Sequence, residues 1–538
     1  MTKLEGAALG SVDSDPARHR WLKLAVFAVW LGLVIVMETR HTFFRDEVRA
    51  LSLALQGSDL GAMLAGIHGE GHPAVWYLLL RGAHVLWPSP AVLPVISVCV
   101  AAAAALLCVL RGPFTWWMVL LGLFSRFALF EYSVMARNYG VSVLLMFIIA
   151  ALYARGRKGG VLLGILLALL ANTNIHSVIL AGAFLGFWFV HVVRDQGLRW
   201  SPPLRTFVVN AAVAAVGVII CAATVYPTIN DAAVIQHPGG LKAVDLARAI
   251  VLPAGPLDNL IGTDPQHLPS LLRGVAAQSL VQFVASLALF GAALSLIRYP
   301  AAFLAALLSL LGLSLLSTIL SHGAYRHDAL WLCFVLSLHW IVRSGAAAPE
   351  ALWPASIVRI IEPAAWIGCA FLVALMATQA EAGVVWASAA VQTKTPAQAG
   401  GFGRFMGSRP DLRGAVLIAD PDFLLEAMPY YVGNPTYLVR ESRFGAVVHF
   451  TRRARLSLGL SDLLEAARRL RGQTGKPVMI LLQTPLSAAK EPAVVTEGYD
   501  WRLAVTPAEA AAFLGATQRL GHFATASDDG DFDAYLVK

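Results

Sequence analysis

The sequence predicts a polytopic α-helical membrane protein that ends in a small α/β domain outside the bilayer. Three observations carry this expectation. Of 538 residues, 57% are hydrophobic and only 14% charged, with a mean hydropathy of +0.66; a soluble chain of this length needs far more charge on its surface. The apolar residues fall in blocks long enough to cross a hydrocarbon core of about 30 Å. From about residue 390 the composition turns to that of a globular domain.

The apolar segments run over 21–37, 73–87, 91–110, 114–130, 138–154, 160–171, 175–193, 206–226, 273–296, 299–320, 327–342 and 356–378. They define a membrane part over 21–380, preceded by a polar segment, 1–20, that lacks the form of a cleavable signal and is expected on the cytoplasmic side. Two hydrophilic interruptions, 38–72 and 227–272, read as long loops, the second rich in proline (Pro227, Pro238, Pro253, Pro256). In the 381–538 domain AVLIAD (415–420), PVMILLQT (477–484) and DAYLVK (533–538) read as strands. SDLLEAARRL (461–470) and TPAEAAAFLGATQRL (506–520) read as helices.

Basic clusters orient the segments. Arg155, Arg157 and Lys158, then Arg194, Arg199 and Arg205, then Arg343 and Arg359 are expected inside. This places 131–139, 172–176, 227–272, 321–328 and the C-terminal domain outside. The basic N-terminus places 38–72 outside too, which requires an odd number of crossings before residue 131. Four apolar segments lie there, so one is expected to be re-entrant or interfacial, or to pair with a further crossing. The polar loops then share one external face. The net charge of +8 follows from these flanking residues and needs no nucleic acid. The five cysteines lie in or beside apolar segments without metal-ligand spacing, so neither a disulfide nor a cysteine metal site is expected.

The loops gather the candidate chemistry. FFRDEVRA places Asp46 and Glu47 just beyond the first segment, and HGEGHPAVWY adds His68, Glu70, His72 and Pro73. A carboxylate here can take a proton from a hydroxyl nucleophile or hold a divalent metal; solvated loop charge is the plainer alternative. EYSVMARNYG sets Glu131, Arg137 and Tyr139 beside an apolar helix, where a guanidinium must snorkel or meet an anion such as a lipid phosphate. NTNIHS holds His176, which is either a substrate ligand or a hydrogen-bonded turn residue. SHGAYRHD adds His322, Tyr325, Arg326, His327 and Asp328, with Arg326 and His327 as a phosphate clamp or an interface cluster. QTGKP (473–477) lacks the spacing of a phosphate loop, and nucleotide binding is rejected there. Arg452, Arg453 and Arg455 read as solvated.

In order, these elements resemble the polytopic glycosyltransferases of the GT-C fold, especially bacterial protein O-mannosyltransferases and lipid A aminoarabinose transferases. The resemblance rests on Asp46-Glu47, on His72-Pro73 with Tyr77 through Leu80, on Tyr132-Ser133 with Arg137 and Tyr139, on Asn174-Ile175-His176, and on Arg326. It implies a GT-C-like membrane domain of about 12–13 transmembrane helices in a bacterial inner membrane, with a periplasmic C-terminal domain. It also implies inverting transfer of a sugar from a polyprenyl-phosphate donor to a glycolipid, polysaccharide or protein acceptor. By this resemblance Asp46 is the base, with Glu47 and Glu70 assisting. Arg137, Tyr139, Arg326 and His327 bind the donor lipid phosphate, and His72, His176 and Tyr325 are further substrate contacts. Whether a divalent metal such as Mg or Mn takes part stays open, with Asp46 and Glu70 as its candidate ligands. A transporter or flippase of a lipid-linked substrate, and an inactive scaffold for glycan assembly, are the competing readings.

Overall fold

Each of the twelve apolar segments contains helix, and length sorts them. The computed structural model describes residues 16–233, 240–261, 275–320, 323–345, 355–392, 398–486, 492–523 and 531–538. Among these residues 8 helices are long and apolar enough to cross a membrane. They are Pro16–Glu38, Val92–Arg111, Tyr139–Gly156, Ile175–Gln196, Pro202–Val225, Val275–Leu294, Pro300–Ile319 and Ala355–Gln392. The other four segments are shorter or broken: Val75–Leu86, Leu162–Ala171, Leu330–Arg343, and Trp116–Leu123 followed by a π-turn over Phe127–Glu131. Leu330–Arg343 is buried along almost its whole length and forms the centre of the bundle.

Hydrogen bonds between the ends of these helices trace the path. At one face Lys23 Nζ donates to the Gly112 carbonyl at 3.2 Å, and Arg157 pairs with Asp195 at 3.5 Å. At the other, Tyr132 Oη donates to the Arg326 carbonyl at 2.9 Å, and the backbone N–H of Val75 reaches the Asn172 carbonyl. Glu38, Pro94 and Val95 line one cavity at this second face. Val92–Arg111 therefore begins on the face where Val75–Leu86 also begins, and the 12-residue helix between them does not cross. At 1.5 Å per residue it is only about 18 Å long. Its outer side leaves Leu78, Leu79, Val85, Leu86 and Trp87 exposed, the pattern of a helix that rests on a bilayer surface. Three passes (16–38, 92–111 and 116–131) then carry the chain to residue 131, which supplies the odd number the charges require.

The last helix, Ala355–Gln392, has 38 residues and is about 57 Å long, well beyond one hydrocarbon thickness. Gly383 lets it approach the Phe124–Arg126 backbone, where a Cβ would overlap main-chain atoms.

Among its described residues the C-terminal domain has nine strands: β1 (Val416–Asp420), β2 (Tyr437–Leu438), β3 (Arg443–Phe444), β4 (Ser457–Gly459), β5 (Val478–Leu482), β6 (Ala493–Gly498), β7 (Trp501–Val505), β8 (Thr517–Phe523) and β9 (Phe532–Val537). The main sheet runs β1-β5-β9-β8, parallel between β1 and β5 and antiparallel thereafter. β1 and β5 are buried at every position, as their continuous apolar runs demand. The Leu460–Thr474 helix packs its Leu463, Ala467 and Leu470 face on this sheet and ends at Gly475 in the left-handed conformation. One expectation needs correction. The helix expected over 506–520 stops at Ala516, and Thr517–Phe523 is strand β8, because that stretch completes the sheet against β9.

Candidate functional site

The site is built where loop segments meet above the bundle. The Arg45–Leu55 helix opens with Asp46 and Glu47 in its first turn, where unpaired backbone N–H groups favour negative charge. Glu47 is fully buried and saturated: it accepts the N–H of Phe44 at 3.1 Å and of Ala136 at 2.7 Å, and meets His41 Nε2 at 2.9 Å. It therefore pins the 132–138 loop to this helix. Asp46 points into the open, with 24% of its side chain exposed.

Three guanidiniums surround Asp46. Arg45 Nε donates to its Oδ1 at 3.3 Å, while Arg137 and Arg326 stand 3.8 and 3.7 Å from its Oδ2. Burial works against ionisation, but Arg137, Arg45 and Arg326, with His72, outweigh it and hold the carboxyl well below the usual carboxylate range. Arg137 is fixed by donating to the Asp46 carbonyl at 2.6 Å and by His72 Nε2 at 3.2 Å. His72 is pushed down to about 3 by burial and by Arg137, so the neutral ring accepts from the guanidinium.

Behind this group His327 and Tyr139 form a second layer. The Ala324 N–H donates to His327 Nδ1 at 2.7 Å, which leaves the ring proton on Nε2, and that nitrogen donates to Tyr139 Oη at 2.7 Å. Burial first, then His176 and Arg326, hold His327 neutral. The His176 ring stacks on His327 at 4.4 Å and 13°, with its Nδ1 enclosed and without a partner. The turn before His176 is set by Asn174, whose side chain accepts the Ser177 N–H at 2.9 Å as a helix cap.

The structure thus brings Asp46, His72, Arg137 and Arg326 into one cluster, with Tyr139, His327 and His176 beside it. Three other candidates make their contacts elsewhere. Glu47 is the tie just described. Tyr325 donates to Gln379 and lies under the Arg126 guanidinium at 4.2 Å. Glu70 is clasped by Arg49, with Nε and Nη2 each 2.8 Å from a carboxylate oxygen. His322 and Pro238 lie outside the described residues.

Sequence reasoning missed Arg45, Arg49 and all their partners in the C-terminal domain. Arg49 bridges Glu70 to the buried Glu426 and donates to the Val448 carbonyl at 2.7 Å. Asn230, from the second long loop, joins through Glu70 and the Phe450 N–H. Arg45 sits against the Phe423 and Phe450 rings at 5.1 and 5.6 Å and donates to Tyr499 Oη at 3.3 Å. The spacing of Arg45 and Arg49, four apart on one helix, was a readable signal for a shared face.

The donor set does not suit a divalent metal. Asp46 is ringed by cations and both oxygens of Glu70 are already taken by Arg49. Among the described residues no group of three or more His, Cys, Asp or Glu side chains is placed to hold a metal ion.

Fold and site together define a polytopic membrane protein with an arginine-rich polar cluster at one face, tied to an α/β domain. No protein-family model matches the chain, and no curated protein matches it either. Among solved structures, the crystal structure of ArnT from Cupriavidus metallidurans bound to undecaprenyl phosphate is similar over 89% of this chain and 96% of that chain, at 12% identity and a TM-score of 0.39.

Proposed function

We propose that this protein is a GT-C-type glycosyltransferase that moves a sugar from a polyprenyl-phosphate donor to an acceptor hydroxyl at the periplasmic face of a bacterial inner membrane. One observation carries the reading. A carboxylate, Asp46, meets two guanidiniums from two other segments of the chain, Arg137 and Arg326, each within 4 Å of it. Leaving-group phosphate is an anion whose charge grows as the glycosidic bond breaks, and paired arginines stabilise that growth. Asp46 would take the acceptor proton while the sugar leaves, and a single displacement inverts the anomeric carbon. The basic ends that pair at the opposite face (Lys23 with Gly112, Arg157 with Asp195) favour a cytoplasmic placement of that face, with the cleft outside.

Asp46→Asn, in protein that elutes and melts like wild type, is expected to lower transfer by about 10²–10⁴-fold while retaining donor binding. A D46N variant with undiminished transfer removes Asp46 as the base. In the transporter reading, D46N and wild type instead move intact lipid-linked substrate between leaflets with no new glycosidic bond, which mass spectrometry of the products decides.

A further inference from the structure

Next to the cleft, and separate from the Asp46 cluster, lies a cavity of about 1230 Å³. It is set where the outer ends of three spans meet the underside of the C-terminal domain. Ile35 and Glu38 come from the first helix, Val95 and Val98 from the second, Val391 from the last, and Tyr430 and Arg404 from the domain. Its walls are of two kinds. Ile35 and Val95 are 49% and 41% exposed on faces that meet hydrocarbon, so the cavity opens sideways to lipid. At its polar end Glu38 has both carboxylate oxygens enclosed and without a hydrogen-bond partner. Arg40, held by the Val391 carbonyl, and Arg404 are the cations of the same lining.

An enclosed carboxylate without a donor is costly and calls for one from outside the chain. Two guanidiniums in the same lining call for an anion. Apolar walls open to the bilayer call for a hydrocarbon chain. A water-soluble sugar supplies only the first of these, and a simple fatty acid supplies no donor for Glu38.

We propose that this cavity binds a zwitterionic membrane lipid: acyl chain against Ile35, Val95 and Val98, phosphate toward Arg40 and Arg404, and an ammonium-bearing head on Glu38. The cavity shares a wall with the transfer site, because Phe43 and His41 line it three and five residues before Asp46 and His41 meets Glu47 at 2.9 Å. The bound lipid is thus the acceptor or lies in its path, a role that rests on the transferase reading, whereas the binding itself does not.

The test is photolabelling of the full-length protein in phosphatidylcholine nanodiscs doped with a diazirine-acyl phosphatidylethanolamine, with adducts mapped by mass spectrometry. Adducts are expected to concentrate on 92–99 and 430–431. Val98→Trp, which fills the apolar end, and Glu38→Gln, which removes the charge, are each expected to cut that labelling roughly tenfold. A diazirine phosphatidic acid, which lacks the ammonium, should be insensitive to E38Q. Melting temperature checks that both variants are folded. D46N must label like wild type, which separates this site from the catalytic assignment. Labelling spread evenly over the exposed spans, or unchanged in V98W and E38Q, overturns the site. Labelling lost in V98W with transfer unchanged overturns the acceptor role.

Discussion

Asp46 faces three guanidiniums, and a carboxylate so well paired is a poor base. In the proposed reaction, donor phosphate would draw Arg137 and Arg326 toward itself and return basicity to Asp46 at the moment it is needed. The acid limb of the pH–rate profile should therefore move upward when one cation is removed. Arg326→Gln is expected to raise it by about one pH unit, and to weaken donor binding, measured as kcat/KM against pH. His72 does not share this limb: a ring pushed down to about 3 stays neutral throughout the working range. Its folded-state pKa lies below the unfolded one, so the stability it brings is present above about pH 6.5 and is lost as pH falls through that value toward 3.

The Arg45–Leu55 helix is the junction of the molecule. Asp46 serves the cleft, Glu47 pins the 132–138 loop, and Arg45 and Arg49 face the C-terminal domain. Arg49 serves two buried carboxylates, Glu70 and Glu426, with Arg45 more distant from Glu426 at 4.0 Å. Burial, with Glu70 adding to it and Arg49 and Arg45 opposing it, lifts Glu426 from 4.5 to about 7. A raised carboxyl contributes stability that is complete below its unfolded value and is lost as pH rises through the folded one. Wild-type melting temperature should accordingly decline between pH 5 and 8, and Glu426→Gln should flatten that decline. Arg49→Met strands both carboxylates and is expected to cost about 3–5 kcal/mol, seen as a collapse in melting temperature or yield. An R49M protein as stable as wild type would show that the domain is held by something else.

At the scale of the whole molecule, two loops and one helix contact decide whether the parts stay registered. Gly69 has a φ of +78°, and a Cβ there would overlap the Pro227 carbonyl; its N–H also reaches the Thr224 carbonyl at 2.7 Å. Gly69→Ala is expected to part the first long loop from the second, and Gly383→Leu to lift the last helix off the Arg126 turn. Both should lower activity and melting temperature together.

How much of this was legible in the sequence follows from range. Hydropathy is local, so every apolar segment contains helix, and buried strands such as β1 and β5 stood out as apolar runs. Whether Thr517–Phe523 is helix or strand depends on β9, which no window around it contains. The cluster of Asp46 with Arg137 and Arg326 was approachable because charge beside an apolar helix is rare enough to notice. The hold of Glu426 on Arg49 spans 377 residues and joins two domains, and nothing near either residue announces it.

The helix that does not cross has one more consequence. His72 leads directly into Val75–Leu86, whose tip at Val85, Leu86 and Trp87 is bare of protein. That tip must rest on lipid, so the bilayer surface sets the height of the helix and, through it, the position of the ring against Arg137. Lipid here is a structural wall of the cleft as much as a solvent. Reconstitution across acyl chains of increasing length should therefore give an optimum in turnover, with detergent micelles well below it, and Trp87→Ser should flatten that dependence.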